Sequence, residues 1–249
     1  MAELPSAHFV YVADTGYAPY GEKPPAAIRE RAHFITERLL AESPLDALVV
    51  ACNTATALAI DSLRAEFPAL PFIGVEPGLK PGAALSTTGH VGVMATRGTV
   101  QSERYDRLRR QVEADRPQVK FHSQACDGLA DAIEQGDEAR TEALCRQYLE
   151  ALANDVPDHA AMDVLVLGCT HYPFAIDIIS ELCGDGVRIL ETGAPVARRA
   201  KDILQARPPR AKVDSPALTL HSTGTGERLS AAVQRWLGIS VSASELRWR

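Results

Sequence analysis

One stretch of sequence occurs twice in this chain and limits the folds open to it. Residues 46–54 read Asp-Ala-Leu-Val-Val-Ala-Cys-Asn-Thr, and residues 163–171 read Asp-Val-Leu-Val-Leu-Gly-Cys-Thr-His. Each copy is an aspartate, four apolar residues, one small residue and a cysteine followed by polar residues. Short continuous apolar runs are typical of buried strands in a parallel sheet. Because almost half the chain separates the copies, the repeat predicts two similar halves, each with a cysteine where a strand ends.

The remaining sequence alternates between strand and helix patterns. Strands are predicted at residues 8–13, 47–51, 71–75, 90–95, 119–123, 164–167, 187–190 and 218–221. Helices are predicted at residues 25–41, 55–66, 100–114, 129–153 (in two pieces), 173–182, 196–206 and 228–237. This alternation predicts an α/β fold of two pseudo-symmetric, doubly wound parallel-sheet domains that face a central cleft.

The repeat and the linkers suggest domain limits. We place residues 1–75 plus 193–249 in the first domain, which carries Cys52, and residues 76–192 in the second, which carries Cys169. Residues 207–216 are rich in proline and are predicted to be a connection.

Composition excludes several classes of protein. The chain of 249 residues is 46% hydrophobic and 23% charged, as ordinary globular proteins are. Its net charge of −6 argues against nucleic acid as a partner. No apolar run reaches the ~18 residues of a membrane helix, and no signal-peptide pattern opens the chain. We therefore expect a cytoplasmic protein without a membrane partner.

The cysteine and histidine spacings favour neither cross-links nor a metal. The five cysteines form no CxxC pair, and the seven histidines form no HExxH motif. We expect no metal site. Cys145 and Cys183 lie within or just after a predicted helix and are expected to be structural.

The two repeated cysteines suggest a particular chemistry. Ligands of parallel α/β sheets bind beyond the carboxyl ends of the strands, where Cys52 and Cys169 are predicted to lie. Inversion of a tetrahedral carbon requires one acid–base group on each of its faces. Following helix N-termini are expected to lower the pKa of both thiols and to hold a carboxylate. His171 is expected to hold a proton near Cys169. The alternative interpretation is that both cysteines are small buried apolar side chains.

Several motifs resemble those of bacterial glutamate racemases. The runs Val50-Ala-Cys52-Asn-Thr-Ala-Thr56 and Leu167-Gly-Cys169-Thr-His-Tyr-Pro-Phe174 are similar to the two signature motifs of that family. Further similar segments are Asp14-Thr-Gly-Tyr-Ala-Pro-Tyr-Gly21, residues 91–99, residues 125–134 and Thr192-Gly-Ala-Pro195. The resemblance covers nearly the whole chain. Thr-His after the second cysteine is similar to the glutamate branch, since aspartate racemases usually carry Thr-Glu there.

The resemblance implies a function and a set of site residues. It implies that glutamate is the substrate, that no pyridoxal phosphate or other cofactor takes part, and that D-glutamate supplies peptidoglycan synthesis. Cys52 would take the α-proton of D-glutamate and Cys169 that of L-glutamate, with His171 assisting Cys169 and Glu134 supporting His171. The implied substrate-binding residues are Pro19, Tyr20, Gly21, Asn53, Thr54, Thr96, Thr99 and Thr170. A homodimer is also expected.

The sequence departs from the family at its start. Family members begin with a strand ending in Asp-Ser-Gly, whose aspartate assists the first cysteine and whose serine binds substrate. This sequence begins Met1-Ala-Glu-Leu-Pro5, which resembles the tail of the family's first helix. We expect uncovered strand edges, a less activated Cys52, and lower activity and stability than a full-length relative has; restoring the strand should recover both.

Two other functions stay open at this point. The first is racemisation of a different acidic amino acid, such as aspartate. The second is a non-catalytic ligand-binding protein on the same fold, which the departure at the start favours and the intact cysteines disfavour.

Overall fold

The computed structural model describes residues 2–157, 159–206 and 217–248. Its strands are β1 (His8–Ala13), β2 (Leu48–Val50), β3 (Phe72–Gly74), β4 (His90–Ala95), β5 (Lys120–Ala125), β6 (Val164–Gly168), β7 (Arg188–Leu190), β8 (Ala217–Ser222) and β9 (Ala243–Glu245). Its helices are α1 (Pro25–Glu42), α2 (Asn53–Glu66), α3 (Leu79–Leu85), α4 (Arg97–Val100), α5 (Glu103–Asp115), α6 (Leu129–Gln135), α7 (Glu138–Asp155), α8 (Ile176–Cys183), α9 (Gly193–Gln205) and α10 (Gly226–Leu237). A 3₁₀ turn, Tyr172–Ala175, precedes α8.

One four-stranded sheet organises the middle of the chain. Its strands follow the order β5-β4-β6-β7 and every pair is parallel. All five residues of β6 are buried, and they alternate between two apolar clusters: Leu165 and Leu167 belong to one, and Val164 and Val166 to the other. A strand with helices on both faces has no polar side, which explains the continuous apolar run in the sequence.

The other strands form two separate parallel sheets. One follows the order β1-β8-β9, and the other contains only β2 and β3. Among the described residues, β1 pairs only with β8 and β2 only with β3.

The parallel α/β class predicted from the sequence is confirmed, and the differences are local. The predicted helix at residues 100–114 is two helices, because the Ser102 side chain accepts the N–H of Tyr105 and caps a new start at α5. The predicted helix at residues 173–182 opens as a 3₁₀ turn. Helix α3 and strand β9 were not predicted. The predicted connection at residues 207–216 lies outside the described residues. Within the described ranges, no helix combines the length and apolar character needed to cross a membrane.

The aspartate that opens the second repeat anchors β6. Its carboxylate accepts hydrogen bonds from Ser86 Oγ at 2.5 Å, Thr87 N–H at 2.6 Å and Thr88 Oγ1 at 2.9 Å. Burial alone would raise the pKa of Asp163, but these donors hold it well below its usual range. The carboxylate thus ties the 86–88 turn to the first residue of β6.

We predict that Asp163→Asn destabilises the fold by about 1–2 kcal/mol, which lowers the melting temperature by about 2–8 °C. Because the folded-state pKa is depressed, the stabilisation is complete above the unfolded pKa of about 4 and fades as the pH falls toward the folded value. Thermal melts should show a constant difference from the unmutated chain between about pH 5 and 8, and a smaller one below about pH 4. Asp185→Asn, at an exposed turn, is the matched control; equal melts for both variants would contradict the assignment.

Candidate active site

Both repeated cysteines line one cavity of about 2220 Å³. Cys52 follows β2 and caps α2, where its Sγ accepts the N–H of Ala55 at 3.5 Å. Cys169 follows β6 and is 7% exposed. The repeat therefore brings one sulfur from each half of the chain to a shared space, as the sequence predicts.

The surroundings of Cys52 do not favour its thiolate. Burial raises the pKa of the Cys52 thiol to about 11, although the N–H of Ala55 opposes this, and the nearby Cys169 raises it further. The expectation that the helix N-terminus lowers the pKa of this thiol is therefore wrong. Loss of hydration destabilises the thiolate by more than the helix N–H groups stabilise it. Cys52 carries its proton at neutral pH.

Cys169 has charged neighbours that Cys52 does not share. Its Sγ lies 3.9 Å from His171 Nδ1, and His171 Nε2 lies 3.4 Å from the Glu134 carboxylate. Burial alone would lower the pKa of His171, but the contacts with Cys169 and Glu134 raise it to about 10. His171 is therefore protonated at neutral pH. Its positive charge lies beside Cys169 Sγ and is paired on its other side with the Glu134 carboxylate.

Three threonine hydroxyls form a buried cluster at one side of the cavity. Thr54 Oγ1 lies 2.8 Å from Thr96 Oγ1, which in turn lies 3.1 Å from Thr99 Oγ1. Thr54 and Thr96 line the cavity, whereas Thr99 does not and is 0% exposed. Thr99 thus orients the Thr54 and Thr96 hydroxyls without itself lining the cavity.

Asn53 and Thr170, the residues that follow the two cysteines, also line the cavity. The Asn53 amide nitrogen donates to the carbonyl of Val75 at 3.1 Å, which fixes the side chain. Its Oδ1 is buried without a hydrogen-bond partner. A buried acceptor left unpaired is costly unless a ligand donates to it.

The segment with Pro19, Tyr20 and Gly21 lies against the cavity and is held by Asp14. The Asp14 carboxylate accepts from Tyr20 Oη at 2.6 Å and from Arg31 Nε at 2.8 Å. Burial alone would raise the pKa of Asp14, but the bonds from Arg31, Thr223 and Tyr20 lower it. Gly21 packs so closely on Thr96 that a Cβ at this position would lie 2.7 Å from the Thr96 Cβ. A side chain there would displace the threonine cluster.

Sequence reasoning missed three residues of this region. Arg31 orients Asp14 from α1, and no motif marks it. Cys126 directly follows β5 and lines the cavity; its place beside Asp127-Gly128 in a motif was the only signal. Tyr11 also lines the cavity, but in the sequence it is simply an apolar member of β1.

No group of three or more His, Cys, Asp or Glu side chains within the described residues is placed to hold a metal ion. Independence of a cofactor stays a prediction.

A parallel α/β protein with two thiols on one cavity is the class that this fold and site define. The sequence profile of the Asp/Glu/Hydantoin racemase family matches residues 2–200. The chain belongs to this family.

Relatives of known structure or function support this family assignment. The chain is 41% identical to a glutamate racemase of Ectopseudomonas mendocina over 237 residues, which are 94% of this chain and 87% of that protein. It is 44% identical to one of Methylococcus capsulatus over 82% of this chain and 73% of that protein. The crystal structure of a Bacillus anthracis glutamate racemase isoform matches with a TM-score of 0.84 and 31% identity, covering 98% of this chain and 90% of that one. The Escherichia coli glutamate racemase, solved with L-glutamate, matches with a TM-score of 0.80 and 30% identity over 97% and 89% of the two chains.

We predict that alkylation of Cys52 by iodoacetamide accelerates about tenfold per pH unit between about pH 8 and 10, because only the thiolate reacts. Peptide mapping by mass spectrometry measures the rate at this one cysteine, with Cys52→Ser confirming the assignment of the peptide. A free thiol of ordinary pKa, about 8.5, should level off above about pH 9. A plateau for Cys52 below pH 9 would show that its thiolate is stabilised rather than destabilised.

Proposed function

We propose that this protein interconverts L-glutamate and D-glutamate without a cofactor, and that it supplies D-glutamate for peptidoglycan synthesis. The observation that carries the proposal is the arrangement of Cys52 and Cys169, which come from opposite halves of the chain to one cavity in unlike electrostatic surroundings. The glutamate racemases among its relatives support glutamate as the substrate.

In the proposed proton transfers, Cys52 and Cys169 act as opposed acid and base. With L-glutamate, Cys169 Sγ takes the α-proton from one face while the Cys52 thiol donates its proton to the other, so the carbon is inverted. The positive charge of His171 stabilises the Cys169 thiolate before the transfer. D-glutamate requires the opposite starting state, in which Cys52 is the thiolate and Cys169 carries the proton. Exchange with solvent resets the two sulfurs after each turnover.

The substrate's charged groups match the polar residues of the cavity. We place a carboxylate against the N–H groups at the start of α2 and the hydroxyls of Thr54 and Thr96, since a helix N-terminus favours an anion. The unpaired Asn53 Oδ1 accepts from the substrate ammonium, and Thr170 contributes a hydroxyl beside Cys169. Pro19, Tyr20 and Gly21 close one side, and Thr99 acts through Thr54 and Thr96.

The wider organisation stays a set of predictions. We infer that residues 1–75 plus 193–249 and residues 76–192 form the two domains, with the substrate between them. A homodimer and a cytoplasmic location are also part of this proposal; sedimentation of the purified chain tests the first, and cell fractionation the second.

We predict that Cys52→Ser and Cys169→Ser each reduce racemisation by about 10²–10⁴-fold, because each removes one acid–base group. The two variants should then differ in deuterium exchange. In D₂O without added cofactor, Cys52→Ser should exchange the α-proton of L-glutamate without inversion, and Cys169→Ser that of D-glutamate. Proton NMR follows the exchange, and circular dichroism follows chirality.

Cys183→Ser, outside the cavity, is the matched control and should keep full activity. If Cys52→Ser or Cys169→Ser racemises glutamate as fast as the unmutated chain does, the two-cysteine mechanism is wrong. If the unmutated chain acts faster on aspartate than on glutamate, only the substrate assignment fails. If no amino acid exchanges its α-proton, the chain is a binding protein on this fold.

We predict that Glu134→Gln shifts the alkaline limb of the L-to-D pH profile downward by roughly one unit, because that direction uses the Cys169 thiolate that the His171 charge stabilises. The Glu134 carboxylate helps to raise the pKa of His171 to about 10, and its loss lets the imidazolium lose its proton at lower pH. Initial rates in both directions between pH 6 and 10.5 measure the effect. Glu142→Gln, on an exposed helix face, should leave the profile unchanged; an unshifted limb in Glu134→Gln would contradict the role of Glu134.

A further inference from the structure

The segment between β1 and α1 lies against the cavity as a short turn. Residues 19–22 line the cavity, and we call them the strap. The N–H of Lys23 donates to the carbonyl of Tyr20 at 3.2 Å, which closes the turn. Pro24 and Pro25 follow and stiffen the start of α1. The strap therefore joins the cavity wall as a defined turn.

Two hydrogen bonds dock the strap on the four-stranded sheet. The Gly21 carbonyl accepts the N–H of Gly98, in α4 after β4, at 2.9 Å. Glu22 Oε1 accepts the N–H of Gly128, in the turn after β5, at 3.1 Å. A carboxylate accepts a backbone N–H more strongly than a neutral oxygen does. The Glu22 side chain thus joins the strap to the residue that directly precedes α6.

The two turns that receive the strap are themselves held together. Arg97, which directly precedes Gly98, pairs with the Asp127 carboxylate. Asp127 directly precedes Gly128, and its carbonyl accepts from the hydroxyl of Tyr148 on α7 at 2.6 Å. The strap therefore docks on a braced surface.

The strap and its docking surface carry polar residues of the active site. Gly21 packs directly on Thr96 of the threonine cluster. Helix α6, which starts just after the Glu22 contact, carries Glu134, whose carboxylate lies 3.4 Å from His171. Docking by Glu22 thus fixes the strap both against the threonine cluster and against the helix of Glu134.

We propose that Glu22 is a positioning residue that holds the strap over bound glutamate; this inference rests on the proposed function. Glu22 is exposed, and hydrogen bonds of exposed groups open locally. An undocked strap removes Tyr20 and Gly21 from the substrate. The apparent affinity for glutamate falls by the fraction of molecules whose strap is docked. Bound glutamate itself holds the strap in place, so turnover at saturation changes little.

We predict that Glu22→Ala raises the KM for both enantiomers of glutamate about tenfold and changes kcat by less than about twofold. Glu22→Gln keeps a side-chain oxygen that accepts the Gly128 N–H, and should raise the KM by less than about threefold. Glu30→Ala, at an exposed residue of α1 outside the cavity, is the matched control and should behave like the unmutated chain. Initial rates over a range of glutamate concentrations, in both directions, give KM and kcat.

Amide hydrogen exchange, followed by NMR, measures docking of the strap without racemase activity. In Glu22→Ala, the N–H groups of Gly128 and Gly98 should exchange about tenfold faster, because both lose their acceptors whenever the strap undocks. The N–H of Cys126 donates to the Ala95 carbonyl at 2.8 Å. It lies in the same turn as Gly128 and should exchange at an unchanged rate.

Faster exchange at both glycines together with a raised KM supports the proposal. An unchanged KM in Glu22→Ala overturns it. A fall in kcat at constant KM that Glu22→Gln does not rescue also overturns it, since a smaller folded fraction alone produces that result. If the unmutated chain does not racemise glutamate, the proposed function fails; the exchange rates and the calorimetric affinity for glutamate then decide whether Glu22 positions the strap.

Discussion

The carboxyl ends of β2 and β6 set the positions of the two sulfur atoms, and the rest of the site depends on this placement. A parallel strand buried on both faces carries no polar side chain until it leaves the sheet, so its chemistry concentrates in the residues that follow it. In the first repeat Cys52 comes two residues after β2, and in the second repeat Cys169 directly follows β6. Similar placement in the two halves of the chain brings both thiols to one cavity.

Equivalent placement does not produce equivalent chemistry. Cys52 caps α2, and burial raises the pKa of its thiol to about 11. Cys169 instead faces His171, which Glu134 keeps protonated. A proton-relay reaction needs one sulfur with a proton and one without at the start of each turnover. The charge pair lies beside one cysteine alone, so the two sulfurs have unlike electrostatic surroundings.

Much of this architecture was predictable from the sequence, because it depends on local patterns. The apolar runs located eight strands of the described chain, and the repeat located both cysteines. Strand β9 and helix α3 were missed because a segment of three or seven residues shows too little periodicity. The Asp14–Arg31 pair depends on a long-range contact that no spacing reveals. The pKa of Cys52 was predicted in the wrong direction, since the sequence shows the helix start but not the depth of burial.

The two cysteines also differ in how firmly the fold holds them. Strand β6 has five residues and pairs along both edges, with β4 and with β7. Strand β2 has three residues and pairs with β3 alone. Hydrogen bonds along both edges restrain the end of a strand more tightly than hydrogen bonds along one edge. The sheet therefore positions Cys169, whereas Cys52 relies largely on its cap contact with α2. Proton transfer rates fall steeply when the reacting atoms are misplaced by even 1 Å.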